Sequence, residues 1–102
     1  MKTCDEIRED LKEIRYYYSM QDVFEKNAST VKPYGILRKV EMYNAAIGNA
    51  PAKLYVVYVS LYVNNNSQTA LADDWGFTRE YIKDLNQMLI DYLQSALNEK
   101  LS

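Results

Sequence analysis

The stretch SQTALADDWGFTREYIKDL, residues 67–85, decides the fold. It opens on Ser67, whose hydroxyl suits the N-cap of a helix, and Thr78 offers a second cap further along. Between them stands Gly76, and glycine adopts a positive φ without the steric cost that other residues meet. Ala72 is small enough to let two helices approach closely. The pattern therefore predicts a helix-turn-helix, with its sharp turn at Gly76.

Apolar residues recur at helical spacing through the two predicted helices and indicate which faces are buried. Five of them are expected inside: Leu71, Trp75, Phe77, Ile82 and Leu85. The motif reaches about Leu93, and the long C-terminal helix carries an apolar stripe with near-heptad spacing: Ile82, Leu85, Leu89, Tyr92 and Ala96. Such a stripe is typical of a helix seam, so it predicts a possible homodimer.

The segment before this motif, LYVVYVSLYV at residues 54–63, is rich in Val and Tyr, which favour a strand by propensity. A helix is the better prediction, because Pro51 suits a first helical turn and no second strand is evident to pair with it. One helical face then carries four apolar side chains: Leu54, Tyr58, Leu61 and Tyr62. The three asparagines that follow, residues 64–66, end the helix.

The N-terminal half predicts two further helices. Thr3 and Glu6 form a capping-box pattern, and an apolar stripe follows at helical spacing: Ile7, Leu11, Ile14 and Tyr18. This long helix is expected to run to about Glu25, with a loop at residues 31–34. A second helix, Tyr34 to Ile47, turns five side chains inward: Ile36, Leu37, Val40, Tyr43 and Ile47. Gly48 suits a left-handed position after its end.

The chain is therefore expected to be a small all-α protein. Its 102 residues, 48% of them hydrophobic, suit one globular domain. Within it, residues 1–48 form an N-terminal helical hairpin with a long first helix. Residues 51–102 form a tri-helical helix-turn-helix with an extended C-terminal helix.

Composition excludes several classes of function. The chain has one cysteine, Cys4, and no histidine, so we expect neither an internal disulfide nor a zinc site. No apolar leader opens the chain, and the apolar run at 54–63 is too short to span a membrane, so a cytoplasmic protein is expected. We expect no cofactor, no metal and no membrane partner. No phosphate-binding loop or catalytic constellation is evident, so an enzyme is not expected.

The sequence from Gly76 to Leu85, GFTREYIKDL, with Leu89, Ile90 and Leu93 after it, resembles the recognition helix of sigma-factor region 4. The preceding residues 67–72 resemble the first helix of that motif. The likeness covers roughly residues 51–93. More loosely, the whole chain resembles small phage and prophage transcription regulators of the ArpU-like type. These resemblances imply a transcription regulator, phage or prophage encoded, that binds double-stranded DNA.

The sigma-factor resemblance also implies which residues contact DNA. The helix that starts at Thr78 would enter the major groove, where Arg79 takes a guanine contact and Glu80 accepts from a cytosine amine. Further contacts to bases or phosphates are implied for the rest of the set: Ser67, Gln68, Thr69, Thr78, Lys83 and Gln87.

The charge distribution argues against strong DNA binding by a single copy of this domain. Residues 1–65 carry net charge +1, whereas residues 66–102 carry three Lys and Arg against six Asp and Glu, net −3. Tyr81, Asp84 and Asp91 stand where the sigma pattern commonly has Arg, Gln or a basic cluster. A lone domain would then bind DNA weakly, so a homodimer or tethering to RNA polymerase is expected to help. The alternative is a protein-interaction module, or an inhibitor of the transcription machinery, that keeps the fold without strong DNA binding.

Overall fold

The computed structural model describes residues 2–21 and 34–101, and all regular structure in these two ranges is helical. The described ranges contain five α-helices, numbered in chain order: α1, Cys4–Ser19; α2, Tyr34–Ile47; α3, Ala52–Tyr58; α4, Gln68–Trp75; and α5, Arg79–Leu101. A π-helical turn, Val59–Val63, continues α3. The prediction of an all-α fold is confirmed. In the described ranges, no helix has the length and apolar character needed to cross a membrane.

Helix α1 begins at the predicted capping box. The Glu6 amide donates to Thr3 Oγ1 at 3.2 Å, and the Thr3 amide donates to Glu6 Oε1 at 3.1 Å. The α1 helix ends at Ser19, earlier than the expected end near Glu25. Residues 22–33, which include Glu25 and most of the predicted loop, lie outside the described ranges.

Most of the side chains predicted to face inward from α2 and α3 are buried. In α2, Val40, Tyr43 and Ile47 are buried. Gly48 lacks the expected left-handed conformation, since its φ is not positive. The segment at residues 54–63 is helical, as predicted, and its buried residues are Leu54, Val57, Tyr58 and Leu61.

One continuous core joins all five helices. Helix α1 packs against α2, α5 and the π-helical turn, while α3 packs along α5. The N-terminus is tied to the far end of α5, since the Lys2 amide donates to Asn98 Oδ1 at 2.8 Å. The N-terminal half therefore packs directly on the segment that carries the predicted recognition helix.

The apolar stripe on α5 was predicted to be a dimer seam, but it is not a free surface. Ile82 and Leu89 are 0% exposed and Leu85 is 2% exposed, all within the core of a single chain. Helices α1, α2 and α3 cover this stripe. The heptad-like spacing reflects packing within the chain, because an apolar stripe has the same spacing whether its partner helix is local or belongs to a second copy.

A buried carboxylate joins α1 to α2. Asp10, 6% exposed, accepts from Lys2 Nζ at 2.7 Å, from Tyr43 Oη at 2.6 Å and from Lys39 Nζ at 3.0 Å. Lys39 also pairs with Glu13. Burial by itself would raise the pKa of Asp10, but the hydrogen bonds from Lys2, Tyr43 and Lys39 outweigh it and hold that pKa below its ordinary value.

Candidate nucleic-acid interface

The first element of the candidate site is the start of α4. The Ser67 hydroxyl accepts from the Ala70 amide at 3.0 Å, which confirms the predicted N-cap. Ser67 and Thr69 are exposed, and Gln68 is half-buried. The first turn of α4 therefore presents the exposed Ser67 and Thr69 side chains at a helix N-terminus, which favours an anion.

The turn between α4 and α5 is built as the sequence predicts. Gly76 has φ 70° and ψ 27°, the left-handed conformation that glycine favours. The Phe77 amide donates to the Ala72 carbonyl at 2.9 Å and so closes the end of α4. Thr78 Oγ1 then accepts from the Tyr81 amide at 3.1 Å, which starts α5. Arg79 is consequently the first residue of the long helix.

We expect Gly76→Ala to lower the free energy of unfolding by about 1 kcal/mol, the cost of a left-handed non-glycine residue. An added Cβ meets no atom within 4 Å at this position, so the cost is conformational and not steric. The matched control is Gly35→Ala in α2, where the space is also open and φ is not positive. The control should be neutral or slightly stabilising in urea denaturation. Equal effects of the two substitutions would contradict this explanation.

Four of the predicted DNA-contacting residues meet across the turn. A shallow groove of about 320 Å³ is lined by Gln68 from α4 and by Arg79, Glu80 and Lys83 from α5. The three α5 side chains are exposed. The groove thus presents two cations, one carboxylate and one amide. This set can donate to phosphate or guanine oxygens and accept from a cytosine amine.

The other predicted residues differ in how available they are. Thr78 is exposed, but its hydroxyl is engaged as the cap of α5. Gln87 is half-buried: its Oε1 accepts from Arg8 Nη2 at 2.6 Å, and its Nε2 donates to Asp91 Oδ1 at 3.1 Å. Gln87 therefore links α5 to α1 and lies beyond the groove lining.

Two arginines of α1 border this surface and were not predicted. Arg8 contacts Gln87, and Arg15 Nε donates to Asn65 Oδ1, just before α4 begins. These contacts join residues that are far apart in the chain, so the local sequence pattern does not predict them. The one available signal is their spacing of seven residues, which puts both on one side of a helix.

The opposite flank of the α4–α5 turn is aromatic. Phe77, which the sequence pattern placed inside, is 48% exposed, and that prediction is wrong. Its ring lies 4.7 Å from that of Tyr81 and 6.3 Å from that of Trp75, between centroids. Lys53 Nζ donates to Tyr81 Oη at 2.9 Å. Phe77 lies in the connection between α4 and α5, so the helical spacing that predicted its burial does not apply to it.

The described residues contain no group of three or more His, Cys, Asp or Glu side chains arranged to hold a metal ion. Comparisons with protein-family models, with curated proteins and with solved structures found no match to the chain.

Proposed function

We propose that the chain is a DNA-binding transcription regulator of the helix-turn-helix type. In this proposal α3, α4 and α5 form the tri-helical unit, and the start of α5 enters the major groove. One observation carries it. The groove at the α4–α5 turn gathers Gln68, Arg79, Glu80 and Lys83 on an exposed surface, although Gln68 belongs to a different helix from the others.

Each groove residue has a distinct role in this proposal. Arg79 donates to guanine, because a guanidinium matches the O6 and N7 acceptors in the major groove. Glu80 accepts from a cytosine amine, and Lys83, one turn further along, contacts a phosphate. Ser67 and Thr69 flank the start of α4, and the amides of this first turn contact phosphates of the DNA backbone. The resemblances to sigma-factor region 4 and to prophage regulators support a role in transcription and a phage or prophage origin.

The test starts from a pool of random duplexes, since the operator sequence is unknown. The full chain selects bound duplexes, and the recovered sequence is titrated at two salt concentrations with the wild type and with Arg79→Ala. We expect salt-sensitive wild-type binding. Arg79→Ala should weaken it about tenfold and relax the preference at one base pair, since a bidentate base contact contributes roughly 1–3 kcal/mol.

The matched control is Arg38→Ala, which removes an exposed arginine from α2. Arg38 does not line the groove, and its neighbour Lys39 pairs with Glu13 of α1, so this variant should bind as the wild type does. Absence of any selected duplex, and of wild-type binding at low salt, would contradict the proposal.

A second candidate function is a protein-interaction module. The observation that favours it is the aromatic cluster at the turn, in which Phe77 is exposed and Trp75 and Tyr81 are half-buried, because aromatic side chains commonly anchor protein interfaces. An RNA polymerase subunit or another transcription protein would be the partner. In that case, Phe77→Ala would abolish partner binding, and Arg79→Ala would leave it unchanged.

A further inference from the structure

We infer that α1 forms a second, cationic wall of the DNA interface, in which Arg8 and Arg15 contact phosphates beside the groove at the α4–α5 turn. This inference rests on the proposed function and adds a segment of the chain outside the sigma-like motif. It addresses the charge of residues 66–102, which is net −3. Among the described residues that line the groove, only Arg79 and Lys83 are cations.

The position of Arg8 follows from its contact with α5. Its Nη2 lies 2.6 Å from Gln87 Oε1, and Gln87 follows Lys83 by one helical turn. Arg79, Lys83 and Gln87 therefore form a row of polar side chains along α5, one helical turn apart. The row ends at Arg8 of α1, which contacts Gln87. The Arg8 side chain is 43% exposed, and its ion pair is with Asp5, itself 93% exposed. Such an exposed pair is weak, so a phosphate can replace Asp5 as the partner.

Arg15 has the corresponding position at α4. It donates to Asn65, which has a positive φ of 60° and stands two residues before the Ser67 N-cap. Its guanidinium thus lies beside the helix start at which backbone phosphate contacts are proposed. The two arginines are two turns apart on α1, about 10 Å along the axis. This separation is similar to the rise over three nucleotides of one DNA strand, at about 3.4 Å each.

Tyr62 joins the π-helical turn to α5 beside α1, the helix that carries both arginines. Its hydroxyl donates to Asn86 Oδ1 on α5. Burial raises the pKa of Tyr62, and the hydrogen bond with Asn86 and the positive charges of Arg15 and Arg8 oppose that rise. Three acidic residues of the same two helices, Asp5, Glu80 and Asp91, are exposed.

The experiment uses the full chain and the selected duplex, titrated between 50 and 200 mM salt. Arg8→Gln and Arg15→Gln are measured singly and together, with Arg38→Gln as the matched control. Each lost phosphate contact should make the salt slope about 0.9 shallower. The fall in affinity over this range should therefore be roughly 3.5-fold smaller for each arginine removed. The preferred base sequence should stay unchanged, unlike that of Arg79→Ala.

Charge-retaining variants separate phosphate contact from structural support. Arg8→Lys and Arg15→Lys keep the positive charge but lose guanidinium geometry, so they should retain most of the wild-type salt slope. If wild type binds and the Gln variants match Arg38→Gln in slope and affinity, the inference is overturned while the proposed function stands. If the wild type itself does not bind at 50 mM salt, the proposed function fails and the inference fails with it.

Discussion

Leu89→Asp should unfold the protein. Leu89 is 0% exposed at the centre of α5, so the substitution removes a packed side chain and places a carboxylate in an apolar core. The combined loss should exceed about 4 kcal/mol, a large part of the roughly 5–15 kcal/mol that stabilises a typical domain. Far-ultraviolet circular dichroism and urea denaturation measure this directly.

The neighbouring Met88 is the matched control, because it is 55% exposed on the same helix. Met88→Asp should change the free energy of unfolding by no more than about 0.5 kcal/mol. The pair also separates two interpretations of the α5 stripe. If the stripe were a dimer seam, Leu89→Asp would give a folded monomer in sedimentation, and that outcome would contradict the packing described above.

Asp10→Ala should have the next largest effect on stability, about 2–3 kcal/mol. The substitution removes the acceptor for Lys2, Lys39 and the buried hydroxyl of Tyr43. The loss is kept below that of a fully buried pair because the two lysine side chains remain 22% and 25% exposed and can bind water. Asp5→Ala is the control, since Asp5 is 93% exposed and should cost little.

The same network gives the stability a defined pH dependence. The pKa of Asp10 is lowered in the folded chain, so its contribution is fully present above the unfolded pKa of about 3.9. That contribution is lost as pH falls through the lower, folded pKa. Urea midpoints of wild type and Asp10→Ala should therefore differ at neutral pH and converge under strongly acidic conditions. A difference that persists undiminished well below pH 3.9 would contradict this role.

Local chemistry made much of the fold predictable from the sequence. The caps at Thr3, Ser67 and Thr78 and the left-handed Gly76 depend on neighbours within a few residues, and all four have the predicted geometry. The helical state of residues 54–63 followed from the absence of a partner strand.

What the sequence missed depends on partners distant in the chain. From the sequence alone, Asp10 resembles the other exposed charges on α1. Its neighbours in the sequence do not show that Tyr43 and Lys39 contact it. The near-heptad stripe on α5 could not reveal that its partner helices are in the same chain. Likewise, the contact between Arg8 and Gln87 depends on how α1 packs on α5, so the cationic border of the groove came only from the structure.

The most direct test of DNA binding at the α4–α5 turn is an amide chemical-shift map of the full chain titrated with the selected duplex. The proposal predicts the largest shifts at residues 67–69 and 78–83, with smaller ones around Arg8 and Arg15. Shifts confined to the aromatic flank at Trp75, Phe77 and Lys53, or no shifts at saturating duplex and low salt, would contradict it.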